Sequence, residues 1–226
     1  MNYHISTGLI LQNFNPKTEC PLCEIKQIVE KNIVEQFLNE AVMVDSARDK
    51  VNKKGFCAHH YDMMVARQNK LGVALQTLTR LDKTIMKIIE PPKNYKAAVK
   101  QATELENALS SCLICDLIND NMVRYYKTVA QMFYNEPKFK DMLLSTKGFC
   151  LHDYLNLLKY SNEAKSKTEE YVKCLAELQT KNIERMQKEL QWFCDKHDYR
   201  NRDLPIGTSA DILPRMRTKL YTKPTK

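Results

Sequence analysis

Apolar residues in this chain recur every three or four positions, the spacing of one face of an α-helix. Ile25, Ile28, Val29, Ile33, Phe37 and Leu38 follow that rule just after Cys23. Pro21 suits a first helical turn, because the N–H it lacks would have no partner there. A second helix is predicted over residues 57–89, with Leu71, Leu75, Leu78, Leu81, Ile85 and Ile88 on one stripe. Pro91 and Pro92 end it. Further helices are predicted over residues 95–109, 116–134 and 139–144, with a break at Gly148. A last long helix, residues 163–193, has Tyr171, Leu175, Leu178, Ile183, Met186 and Leu190 as its apolar face. The two-residue alternation of a half-buried strand is missing, so the class predicted is all-α.

The helical pattern carries a repeated motif. Cys20-Pro21-Leu22-Cys23 is followed by Lys54-Gly55-Phe56-Cys57-Ala58-His59-His60, and Cys112-Leu113-Ile114-Cys115 by Lys147-Gly148-Phe149-Cys150-Leu151-His152-Asp153. The step from Cys23 to Cys57 is 34 positions and that from Cys115 to Cys150 is 35, which makes coincidence a poor explanation. The repeat predicts two tandem helical units packed as a bundle. Their bounds are residues 1–91 and 92–198, with an extended basic segment over 199–226.

Composition agrees with a helical globular chain: 226 residues, 43% hydrophobic, 27% charged and only five glycines. No apolar run reaches the length of a membrane span, and the N-terminal residues lack the pattern of a secretory signal. The expected location is the cytoplasm, where thiols stay reduced; eight cysteines there point to metal ligation before disulfides.

A CxxC pair can grip one ion with two thiolates, and a tetrahedral shell then needs two further ligands. Each Gly-Phe-Cys segment can supply them from the start of the next helix. Cys57 and His60 are three apart and share a helical face. The expected sets are therefore Cys20, Cys23, Cys57 and His60 in the first unit, and Cys112, Cys115, Cys150 and His152 in the second. His59 is the alternative if Cys57 lies before the first turn, and Asp153, which stands where His60 stands in the first motif, is the alternative to His152. Cys194 and His197 repeat the Cys-x-x-His spacing with no CxxC upstream, which reads as a packed thiol and a polar neighbour. Closed sites of this kind suit zinc, two ions per chain, with an iron–sulfur cluster as the rival.

The order CPxC, GFCxxH, a second CxxC, a second GFC and the closing Phe193-Cys194-Asp195-Lys196-His197-Asp198-Tyr199-Arg200-Asn201 resembles an uncharacterised bacterial family. That family is a domain of unknown function found mostly in anaerobic Gram-positive bacteria. The resemblance covers nearly the whole chain and implies a cytoplasmic protein with Cys/His metal sites and no established reaction.

No phosphate loop, nucleophile elbow or HExxH motif is present, so the reading leans away from an enzyme. It favours a zinc-stabilised interaction protein, with a thiol or metal redox sensor as the alternative. The net charge of +8 is concentrated toward the end, where residues 196–226 carry eight Lys/Arg against three Asp. Arg200, Arg202, Arg215 and Arg217 are the candidate partner-binding residues there. Their expected partner is a protein, with nucleic acid as the weaker option.

Overall fold

A computed structural model describes residues 5–39 and 41–221 of the chain. Among these residues there is no strand. The α-helices are α1 (Ile5–Asn13), α2 (Pro21–Leu38), α3 (Asp45–Lys54), α4 (Ala58–Val65), α5 (Lys70–Ile88), α6 (Tyr95–Ser110), α7 (Leu113–Asn135), α8 (Phe139–Ser145), α9 (Leu151–Lys159), α10 (Thr168–Asp195) and α11 (Ile212–Leu220). No helix among the described residues is long and apolar enough to cross a membrane.

The single helix expected over residues 57–89 is two helices. Asn69 caps the second, its side chain accepting from Gly72 N (2.9 Å) and donating to Leu38 O (2.6 Å). A Cβ on Gly72 would lie 2.6 Å from Leu38 O, so a glycine is needed where α5 meets the end of α2. Gln76 donates to Phe37 O. Two carbonyls at the end of α2 are thus satisfied by side chains from α5 and its cap.

Two compact units are present, and they are not the two successive repeats. One holds the described residues up to Gln27 together with those from Asn121 onward; the other is Ile28–Asp120. The tandem boundary expected at residue 91 therefore lies inside one unit, and the unit boundaries fall within α2 and α7.

In the unit formed by both ends of the chain, Phe14 packs between Phe139 and Phe149, with ring centroids 5.7 and 5.9 Å away. Helix α10 buries Tyr171, Cys174, Leu175, Leu178 and Met186. Gln179 on the same helix bonds both backbone groups of Phe149, accepting from its N at 3.0 Å and donating to its O at 2.9 Å. In the central unit the core includes Val34, Phe37, Leu38, Val51, Met64 and Val73. The stripe of α5 behaves differently: Leu71, Leu75, Leu78, Leu81, Ile85 and Ile88 are all exposed. Helix α6 has no buried residue.

Candidate metal centres

Each Gly-Phe-Cys segment folds the same way, for reasons local to its sequence. Gly55 and Gly148 take positive φ, 67° and 74°, a region that favours glycine. The chain turns there, and the cysteine two residues on becomes the N-cap of a short helix. Cys57 caps α4 and Cys150 caps α9, both with extended backbone. An N-cap side chain and the residue at the third helical position reach toward each other, the geometry of a capping box. His60 and Asp153 occupy that third position, and Asp153 N donates to Cys150 Sγ at 3.4 Å. This is why His60 rather than His59, and Asp153 rather than His152, turns toward the cap cysteine.

The CxxC pairs are equally regular. Cys20 and Cys112 immediately precede α2 and α7, and Cys23 and Cys115 sit in the first turns. What differs from expectation is the pairing. Cys57, His60, Cys112 and Cys115 form one group and Cys20, Cys23, Cys150 and Asp153 another, the ligand atoms of each lying within 4.8 Å of one another. Each CxxC therefore meets the Gly-Phe-Cys segment of the other repeat, and the two sets expected within single repeats are corrected accordingly. Bonds beside each quartet hold the exchanged partners: Gly55 and Lys54 to Leu113 and Ser111 in one, and the Glu19 and Lys147 carbonyls to Lys219 in the other.

In the central unit, short bonds hold the two segments together. Leu113 N donates to Gly55 O at 3.0 Å, Ser111 Oγ to Lys54 O at 2.6 Å, and Lys54 pairs with Asp116. His60 Nδ1 then lies 3.3 Å from Cys57 Sγ and 3.4 Å from the sulfurs of Cys112 and Cys115; Cys57 and Cys115 sulfurs are 3.9 Å apart. A tetrahedral zinc with ordinary bond lengths has edges of about 3.8 Å between sulfurs and about 3.6 Å between sulfur and nitrogen. The other ring nitrogen, His60 Nε2, is 2.9 Å from Glu30 Oε1. A carboxylate behind a ligating imidazole fixes its tautomer and its aim. His59 is exposed and 3.2 Å from the same Glu30 oxygen, outside the quartet.

In the other unit, Asp153 Oδ2 is 3.1 Å from Cys20 Sγ, 3.5 Å from Cys23 Sγ and 3.2 Å from Cys150 Sγ. Asp153 Oδ1 accepts from the Tyr126 hydroxyl at 2.6 Å. One carboxylate oxygen is thus left to face the sulfurs. All four residues are buried. His152 is instead about one-third exposed, 3.5 Å from Asp153 Oδ1, and takes no place among the four. Lys219, fully buried on α11, ties the two segments by donating to Glu19 O (2.5 Å) and Lys147 O. Its ammonium lies 3.6 Å from the Glu19 carboxylate, which Arg185 and Arg215 also hold at 2.6 and 3.2 Å.

The electrostatics favour one ready thiolate in each quartet. Burial opposes ionisation of Cys112, but hydrogen bonds from His60 and nearby backbone N–H groups lower its pKa to about 6. Burial likewise opposes a charge on His60, and Cys112 and Glu30 outweigh it, lifting its pKa to about 10. The Cys20 and Cys23 thiols hold Cys150 far below the usual thiol range. The Tyr126 phenol is pushed up by burial and by the Asp153 charge, which keeps it a donor. Thiolate is the form a metal ion binds.

The remaining candidates stay apart. All eight cysteines are free; Cys174 is buried and Cys194 exposed. His197 stacks edge-on with Phe193, and neither Cys194 nor His197 joins a ligand cluster among the described residues. Of the four arginines expected to face a partner, Arg215 is engaged with Glu19, Glu189 and Asp211, because α11 packs against the buried Glu19. Arg200 pairs with Asp198, and Arg200, Arg202 and Arg217 are exposed. Lys223 and Lys226 lie outside the described residues. Glu30, Tyr126 and Lys219 carry no sequence signal of a role, since each acts on a cluster assembled from distant segments.

The chain is therefore an all-helical protein with two Cys-rich clusters that could hold metal ions. It belongs to the Family of unknown function (DUF6062), which it matches over residues 1–226. It is also similar to an uncharacterised 23.9 kDa protein encoded in the xynA 3′ region of Caldicellulosiruptor sp. (strain Rt8B.4). The two are 26% identical over 205 residues, 89% of this chain and 92% of that protein. No solved structure matches.

Proposed function

We propose that this is a cytoplasmic helical interaction protein stabilised by two structural zinc ions. One ion is held by Cys57, His60, Cys112 and Cys115, the other by Cys20, Cys23, Cys150 and Asp153. The observation that carries the reading is the convergence of each quartet, with His60 Nδ1 3.3–3.4 Å and Asp153 Oδ2 3.1–3.5 Å from three sulfurs and all ligand atoms within 4.8 Å, as around a single tetrahedral ion. Four ligand atoms this close leave no room for the irons and sulfides of a cluster. Three thiolates and a fourth protein ligand close each shell, as structural sites do, and leave no open position for a substrate. Each ion would join two segments far apart in sequence, a cross-link worth on the order of 10 kcal/mol in small zinc domains.

Cobalt substitution tests this. Two cobalt ions per chain with intense tetrahedral and thiolate charge-transfer bands, displaced by two zinc ions, are expected. A chain that stays folded and binds neither ion would refute the reading. Redox sensing is the second reading, favoured by Cys57, the half-exposed thiol among otherwise buried ligands. Peroxide would then release the ion of the central unit first.

A further inference from the structure

Helix α5 presents an apolar face that the rest of the described chain leaves open. Leu71, Leu75, Leu78, Ile85 and Ile89 are each 40–69% exposed. Their spacing runs four, three, seven and four, with Asp82 at the place that divides the seven into four and three. That is the seam of a helix packed along another helix. Leu81, Met86 and Ile88, also exposed, border the seam and widen it beyond a two-stranded stripe. A face this broad suits a bundle of several helices rather than a single partner strand. On α6, Tyr95, Val99 and Leu109 are exposed as well.

We infer that the open face of α5 forms the interface of a homodimer, in which two copies of this chain bury their α5 seams against each other. The exposed apolar area decides the occupant. Eight side chains of α5 and its end, each roughly half exposed, offer about 800 Å², the area each partner contributes to a stable interface of standard size. A patch of that extent exceeds the few hundred Å² that a soluble monomer ordinarily leaves to water. A second copy presents the same face in the same amount, and a two-fold axis makes such a face self-complementary. The opposite side of α5 packs on α3 and α4, and the copy supplies the layer missing on the open side. Asp82 is the polar interruption that gives such a seam its register, at some cost in stability.

The inference does not depend on the metal centres, whose ligands lie outside this face. Sedimentation equilibrium of the full native chain at micromolar concentration tests it. The expected mass is twice the 26.4 kDa of the chain. The double variant Leu78→Glu/Ile85→Glu is expected to sediment as a single chain with unchanged helical circular dichroism. Leu204→Glu, at an exposed apolar residue after α10, should leave the dimer intact. A native chain at single mass would overturn the proposal, including the case where a different protein covers the face. A dimer that survives the double variant would overturn it too, by placing the interface elsewhere.

Discussion

Tyr126 donates its hydroxyl proton to Asp153 Oδ1 at 2.6 Å, while the other oxygen of that carboxylate faces three sulfurs. The central unit solves the same problem with other chemistry, placing Glu30 behind the far nitrogen of His60. Both arrangements leave one ligand atom aimed inward and hold it there. A carboxylate shared with thiolates has a second oxygen that would otherwise compete or rotate, and Tyr126 occupies it.

Tyr126→Phe removes that restraint and leaves the ring in place. The expected outcome is a fall of about 10- to 100-fold in the affinity of the Asp153 centre, the usual effect of losing an outer partner. The His60 centre should be unaffected, because the Tyr126 hydroxyl bonds to Asp153 and to no ligand of the other centre. Competition with a chromophoric chelator resolves the two ions, and equal weakening of both would contradict the assignment.

Lys219 bridges Glu19 O and Lys147 O from a fully buried position. Lys219→Met keeps most of the length of the side chain and deletes the donor. A buried and a half-buried carbonyl then lose a donor and Glu19 loses one of three cations. We expect a loss of about 3 kcal/mol in unfolding free energy, measured by urea titration. A loss below about 1 kcal/mol would show that the bridge contributes little to closing the second centre.

Much of this was legible in the sequence. The helical class followed from spacing of three and four, and Pro21 does open α2. A break was expected at Gly148, which takes positive φ, and Gly55 in the other motif does the same. The condition set for His59, a Cys57 before the first turn, is met, because Cys57 is the N-cap of α4, and yet it is His60 at the third helical position that faces the sulfur. Pairing was not legible at all. Spacings of 34 and 35 fit either partner, and the exchange shows only in the bonds that join Leu113 and Ser111 to Gly55 and Lys54, and Lys219 to Glu19 and Lys147. The same limit applies to the α5 stripe, whose periodicity is that of a core face although nothing in the described chain covers it.

Gly55 and Gly148 offer a graded test of the turn. Alanine at either site must adopt a backbone region that costs about 1–3 kcal/mol. At Gly148 the new Cβ would also meet Gln179 Oε1 at 2.9 Å, an atom committed to the Phe149 backbone. At Gly55 it would meet the Arg80 guanidinium at 3.0 Å, the end of a flexible side chain. Gly148→Ala is expected to be the more destabilising of the two in thermal unfolding. The reverse order would mean that Gln179 does not hold the turn.

The exchanged pairing is the central claim, and zinc content per purified chain in two double variants tests it most directly. Cys23→Ser/Cys150→Ser removes two ligands of one centre and should retain one zinc. Cys23→Ser/Cys57→Ser removes one ligand from each centre and should retain none, against two for the native chain. If the first variant holds none and the second holds one, each CxxC pairs with its own repeat and the exchanged pairing is wrong.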